Sequence, residues 1–151
     1  MPGPDMRAPG AILVACGQNA VRSPMAAALL RQHFGSRVYV ASAGVRAGEL
    51  NPLAVEVMTE IGIDISGHEP RTFTDLDDTS FDLVISLAPE AHHHAVEMTR
   101  TMAIEATYWP TPDPTIEAGN RNQQLEQFRA VRDMLLERIR QSFARPAMPN
   151  P

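Results

Sequence analysis

The sequence predicts an α/β fold, a parallel sheet covered by helices, because short apolar runs of strand length alternate with segments of helical periodicity, and Gly or Pro stands at several junctions. Parallel neighbours need long crossover connections, usually helices, and this alternation supplies them. At 151 residues the chain is long enough for one sizeable core and short for two. The expected organisation is a Pro- and Gly-rich disordered leader over residues 1–10, a single domain over 11–144, and a disordered Pro-rich tail over 145–151.

The first strand is read at Ala11 to Ala15, ending at Cys16-Gly17. Ser23-Pro24 reads as a helix start, with a serine oxygen to cap free amides and a proline suited to the first turn. That helix continues to about Phe34, with Gly35 as its stop. Val38 to Ala41 is a second strand. Asn51-Pro52 opens a second helix, whose apolar face is read as Val55, Met58, Thr59 and Ile61 before Gly62. A third strand follows at Phe81 to Leu87, a helix from about Glu90, and a weaker strand at Ile104 to Tyr108. The stretch from Gln123 to Phe143 places Leu125, Phe128, Val131, Leu135 and Ile139 at helical spacing.

A formal charge of −5 gives no reason to expect nucleic acid or an anionic membrane as partner, since both attract basic patches. No apolar run is long enough to span a bilayer, and the first ten residues lack the apolar stretch of a secretory signal. One cysteine excludes an internal disulfide, so the reducing cytoplasm is the expected location.

Between the first strand and first helix stands Cys16-Gly17-Gln18-Asn19-Ala20-Val21-Arg22-Ser23, a Cys-x5-Arg-Ser arrangement at the edge where open α/β sheets place ligands. A loop of this length can curl its amides around one tetrahedral oxyanion, and the following helix adds the positive end of its dipole. Arg22 supplies a planar fork for two oxyanion oxygens. The same groups favour a thiolate at Cys16. Against this stands the plain alternative of a small apolar residue buried at a strand end. Asp113, in Trp109-Pro110-Thr111-Pro112-Asp113-Pro114, is the candidate general acid: flanking prolines restrict its backbone. Its competing reading is a surface Asp-Pro turn. Three adjacent histidines, His92 to His94, point in different directions on a helix and make a poor metal site. Asp75, Asp77 and Asp78 read as a solvated helix start, and Arg46 and Arg71 as solvated or bordering the pocket.

These two segments resemble the signatures of the low-molecular-weight protein tyrosine phosphatases and the related arsenate reductases. Ser42-Ala43-Gly44, Gly62-Ile63-Asp64-Ile65-Ser66 and Phe81-Asp82-Leu83-Val84 extend the resemblance from about Ala11 to Phe143. It implies a three-layer, four-stranded parallel sheet with flanking helices. It implies Cys16 as nucleophile, Arg22 as phosphate ligand and Asp113 as acid. Gly17, Gln18, Asn19, Ala20, Val21, Arg22 and Ser23 would form the substrate-binding loop. Ser23 would hydrogen-bond the thiolate, Asn19 and Ser42 would brace the loop, and Trp109 is a supporting aromatic. The family loop has glycine where Gln18 stands and commonly a second cysteine where Val21 stands, and aromatics follow its Asp-Pro where this chain has Thr115-Ile116. Asn51-Pro52-Leu53-Ala54 and the Gln124 to Asp133 segment resemble the arsenate reductases that use a cysteine relay, but the relay cysteines are absent.

The implied activity is a phosphomonoester phosphatase, acting on protein phosphotyrosine or a small phosphomonoester through a phosphocysteine, with no metal and no cofactor. Two alternatives are an arsenate reductase drawing on an external small thiol, since exchange needs a second thiol, and an oxyanion-binding module without turnover.

Overall fold

Strand β1 (Ala11–Cys16) lies inside a four-stranded, all-parallel sheet of order β2-β1-β3-β4, between β2 (Tyr39–Gly44) and β3 (Leu83–Ser86), with β4 (Glu105–Tyr108) beyond β3. The computed structural model describes residues 9–76, 80–116 and 119–143. The expected leader, apart from Pro9 and Gly10, and the expected tail lie outside the described residues, as do Asp77 and Asp78.

Helices α1 (Arg22–Phe34), α2 (Pro52–Thr59), α3 (Pro89–Met98) and α4 (Arg121–Ser142) complete the three layers. Side chains alternate along a strand, so β1 sends Ile12, Val14 and Cys16 to one face and Leu13 to the other. The first face packs against Met25, Leu29, Val57, Phe128 and Leu135 of α1, α2 and α4. On the second, Leu13 groups with Ala41 and Ala43 of β2 and Val84 of β3, against Ala95 of α3. Helix α4 starts at a capping box, where Asn120 accepts from the Gln123 amide and Gln123 accepts from the Asn120 amide, and it buries all five apolar residues expected from its spacing.

Three local expectations need correction. Strand β2 runs on to Gly44 because Ser42, Ala43 and Gly44 pair with Val14, Ala15 and Cys16; small residues carry too weak a strand signal to show this beforehand. Helix α2 buries Ala54, Val57 and Met58, whereas Thr59 and Ile61 are exposed. The face was displaced because α4 covers it from one side, where Arg132 is buried and donates to the Val57 carbonyl and to Glu60, both at 2.8 Å. Asp75 ends a short 3-10 turn over Phe73–Asp75, boxed by Thr72, instead of starting a helix. No helix among the described residues is long and apolar enough to cross a membrane.

With β1 flanked by β2 on one side and β3 on the other, the chain leaves β1 and β3 in opposite directions. That reversal opens a crevice at the carboxyl ends of β1 and β3. Cys16 ends β1, and α3 starts three residues after β3.

Candidate active site

Every carbonyl from Cys16 to Ala20 is hydrogen-bonded from outside the loop. The Cys16, Gly17, Gln18 and Ala20 carbonyls accept from the amides of Val45, Arg46, Gly48 and Asn51 at 3.2, 2.8, 2.9 and 3.1 Å. The Asn19 carbonyl is met by His68 Nε2 at 3.0 Å. In a trans peptide the N–H points opposite to the carbonyl it adjoins. The amides of Gly17 to Val21 are thereby turned the other way, toward the concave side that faces the crevice, forming an anion-binding nest at the start of α1.

This curl requires Asn19 to adopt a left-handed backbone, φ 56°, which asparagine tolerates better than most residues. Its side chain, fully buried, then orients the groups around Cys16. The Arg71 amide can only donate, and it donates to Asn19 Oδ1 at 3.0 Å, so the Nδ2 end must face Ser23 and Ser42. It donates to Ser23 Oγ at 2.8 Å and to Ser42 Oγ at 2.9 Å. With its oxygen already accepting, Ser23 has its hydroxyl hydrogen free to donate to Cys16 Sγ, 3.0 Å away. Ser23 therefore does not cap α1: the helix begins at Arg22 without a side-chain cap, and Pro24 falls in its third position.

A cavity of about 150 Å³ sits above the nest, lined by the loop residues Cys16, Gly17, Gln18, Ala20, Val21 and Arg22. Arg46, Glu90, Asp113 and Thr115 complete the lining. Arg22 Nη1 donates to the Thr111 carbonyl at 2.9 Å, tying the guanidinium to the loop that carries Asp113, and Nη2 lies 3.9 Å from Asp113 Oδ2. Thr115 donates twice to Asp113 Oδ1, from its amide at 2.9 Å and its hydroxyl at 2.6 Å. Asp113 Oδ2 is left on the cavity side of that turn. Exposed Gln18 packs over Gly48, where an added Cβ would lie 2.6 Å from its Oε1; the room this side chain needs is provided from across the loop.

Gly44 shows how closely the loop is backed. A Cβ there would come within 2.5 Å of the Arg46 carbonyl oxygen, 2.7 Å of the Asn19 nitrogen and 2.8 Å of the Gln18 carbonyl carbon, all backbone atoms with little freedom to yield. Gly44→Ala should lower stability by about 1–3 kcal/mol through overpacking. An unchanged urea midpoint would show that the loop can retreat.

Burial is the main cause that lowers the His68 pKa, helped by the charges of Arg71 and Arg31 and opposed by its bond to the Asn19 carbonyl and by Glu69. The unfolded chain takes up this proton near pH 6.5, the folded chain only at lower pH, so the unfolded state binds more protons in between. Stability should therefore fall as pH drops through that interval, and His68→Gln should flatten the fall. Urea unfolding of both proteins from pH 7.5 down to about 5 checks this; parallel curves would exclude His68 as its source.

The expected Cys16, Arg22 and Asp113 meet at one cavity, and Ser23, Asn19 and Ser42 form the brace behind it. Trp109 does not reach the cavity: it is 4% exposed, lies 6.1 Å from Phe143 ring to ring and has Arg138 over its face. Tyr108 stacks on His92, and His94 stacks on Phe73, so the histidines engage separate rings. Arg46 does border the cavity, paired with Glu90. Glu90, Thr111, Thr115 and His68 were not anticipated; only Thr115, two residues after Asp113, had a sequence signal, that of an Asx turn.

A three-layer fold of this strand order, with a Cys-x5-Arg nest at its switch point, defines the class of low-molecular-weight phosphatases and related arsenate reductases. The chain belongs to the family described as low molecular weight phosphotyrosine protein phosphatase, whose model matches residues 11–147. Among its relatives, an arsenate reductase from Bacillus licheniformis is 36% identical over 129 residues, covering 83% of this chain and 88% of the relative. A glutaredoxin arsenate reductase from a Synechocystis species is 29% identical over 134 residues, covering 89% and 96%. A solved structure of an arsenate reductase in a phosphate-binding state superposes with a TM-score of 0.71 at 28% identity, over 87% of this chain and 94% of that one.

Proposed function

We propose that the protein is a cysteine-dependent phosphomonoester phosphatase, acting on protein phosphotyrosine or a small phosphomonoester in the cytoplasm. The observation that carries this reading is that Asp113 lines the same cavity as Cys16 and the loop, with its Oδ2 3.9 Å from the guanidinium that would hold the phosphoryl group. Cys16 Sγ attacks phosphorus as the bond to the leaving oxygen breaks, and protonated Asp113 gives that oxygen its proton. Asp113, now a carboxylate, takes a proton from the water that attacks the phosphocysteine, and the S–P bond breaks to return the thiolate and release phosphate. The nest amides and Arg22 hold the equatorial oxygens in both steps, supplying the positive charge that a metal brings elsewhere.

A second reading, arsenate reduction, is favoured by the names of the relatives. With one cysteine in the chain, the thiol that resolves the cycle would be external, glutathione or a similar small thiol. The deciding experiment is turnover of para-nitrophenyl phosphate without added metal or thiol, by wild type and by Asp113→Asn. We expect wild-type hydrolysis and a loss of roughly 10²-fold in the variant, larger for leaving groups poorer than nitrophenolate. No hydrolysis but thiol-dependent release of arsenite would establish the reductase; oxyanion binding with neither activity would establish a binding module.

A further inference from the structure

The residues that line the Cys16 cavity include no aromatic side chain among those described, yet one flat surface does stand at its mouth. Arg46 donates to both oxygens of Glu90, Nη2 to Oε1 at 2.7 Å and Nη1 to Oε2 at 3.2 Å. A two-point pair of this kind holds guanidinium and carboxylate near one plane. Both ends are anchored: the Arg46 amide is bonded to the Gly17 carbonyl at 2.8 Å, and Glu90 sits in the first turn of α3, where the helix favours negative charge. The bridge passes directly over Gly17, the residue after the nucleophile, since a Cβ there would lie 2.7 Å from Glu90 Oε1 and 3.7 Å from Arg46 Nη2. An ion pair this exposed, 59% and 46% for the two side chains, adds little to stability. What it does provide is a planar cation, fixed at the edge of an oxyanion nest.

We propose that the Arg46 guanidinium, held in place by Glu90, is the surface on which the ring of an aryl phosphate lies, and that this pair sets a preference for aromatic over aliphatic phosphoryl compounds. A guanidinium attracts an aromatic face through the ring quadrupole, and its planarity allows stacking that an ammonium cannot match. The turnover of such substrates rests on the phosphatase reading; the binding preference requires only the nest.

The test compares affinities for phenylphosphonate and methylphosphonate, measured by calorimetry at one pH, in wild type, Arg46→Gln, Arg46→Lys and Glu90→Ala. Inorganic phosphate binding in each variant reports that the nest is folded. Taking the ratio of the two phosphonates cancels the general effect of removing a charge. Wild type should favour the phenyl compound, and the ratio should fall roughly threefold to tenfold in both Arg46 variants, with a smaller fall in Glu90→Ala, where the plane is released but retained. No phenyl preference in wild type, an unchanged ratio in Arg46→Gln, or a full ratio in Arg46→Lys would overturn the proposal. Para-nitrophenyl phosphate turnover reads the hydrolase assignment separately: preference without turnover removes the hydrolase and leaves the aryl wall, and turnover without preference does the reverse.

Discussion

Cys16→Ser should lower turnover of para-nitrophenyl phosphate by at least about 10⁴-fold, because an unactivated alcohol would replace the sulfur proposed as nucleophile. The Ser23 hydroxyl, 3.0 Å from Cys16 Sγ, accepts from Asn19 and so is oriented to donate. Serine is smaller than cysteine, the loop carbonyls are held by four backbone amides and His68, and the nest should stay formed. Inorganic phosphate should therefore still bind, by calorimetry, while acid quenching of wild type during turnover traps a phosphorylated protein that the variant does not give. A serine variant within tenfold of wild type would show that Cys16 is not the nucleophile.

Arg22→Lys should lower kcat/KM by about 10³-fold even though charge is conserved. Two planar donors are lost from the phosphoryl oxygens, a kind of removal that alone amounts to about 10²–10³. Arg22 also ties the Thr111 carbonyl, and through it the Asp113 loop, to the start of α1. Lysine cannot hold that carbonyl at 2.9 Å and grip a phosphate together. The two roles make a specific signature: Arg22→Lys combined with Asp113→Asn should lose less than the product of the single losses, since the first already misplaces the acid. A strictly multiplicative double variant would mean that the loop is held by other contacts.

How much of this was visible beforehand depended on whether a role belongs to neighbours in sequence. The Cys-x5-Arg spacing, and the strand and helix around it, are local features; the loop and Asp113 line one cavity, with Asn19, Ser23 and Ser42 hydrogen-bonded together beside Cys16. The backing of the loop is tertiary. Nothing near residue 19 indicates that His68 and the Arg71 amide will meet it, or that the segment from Val45 to Asn51 will run beside it with its amides in step. Trp109 was misjudged because an aromatic leading into a loop carries the same local pattern whether it faces a pocket or, as here, Phe143. Glu90 went unread because its partner, Arg46, is 44 residues away.

The five outward carbonyl bonds also decide when the entropy of the nest is lost. Ordering backbone opposes folding by roughly 1–2 kcal/mol per residue, and here that loss is met when the chain folds, so an arriving oxyanion finds the donors already converged. Four of these bonds tie the loop to the segment that follows β2, and the fifth ties it to His68. Opening the nest means detaching that segment, so the site has no separate melting of its own and shares the cooperativity of the sheet.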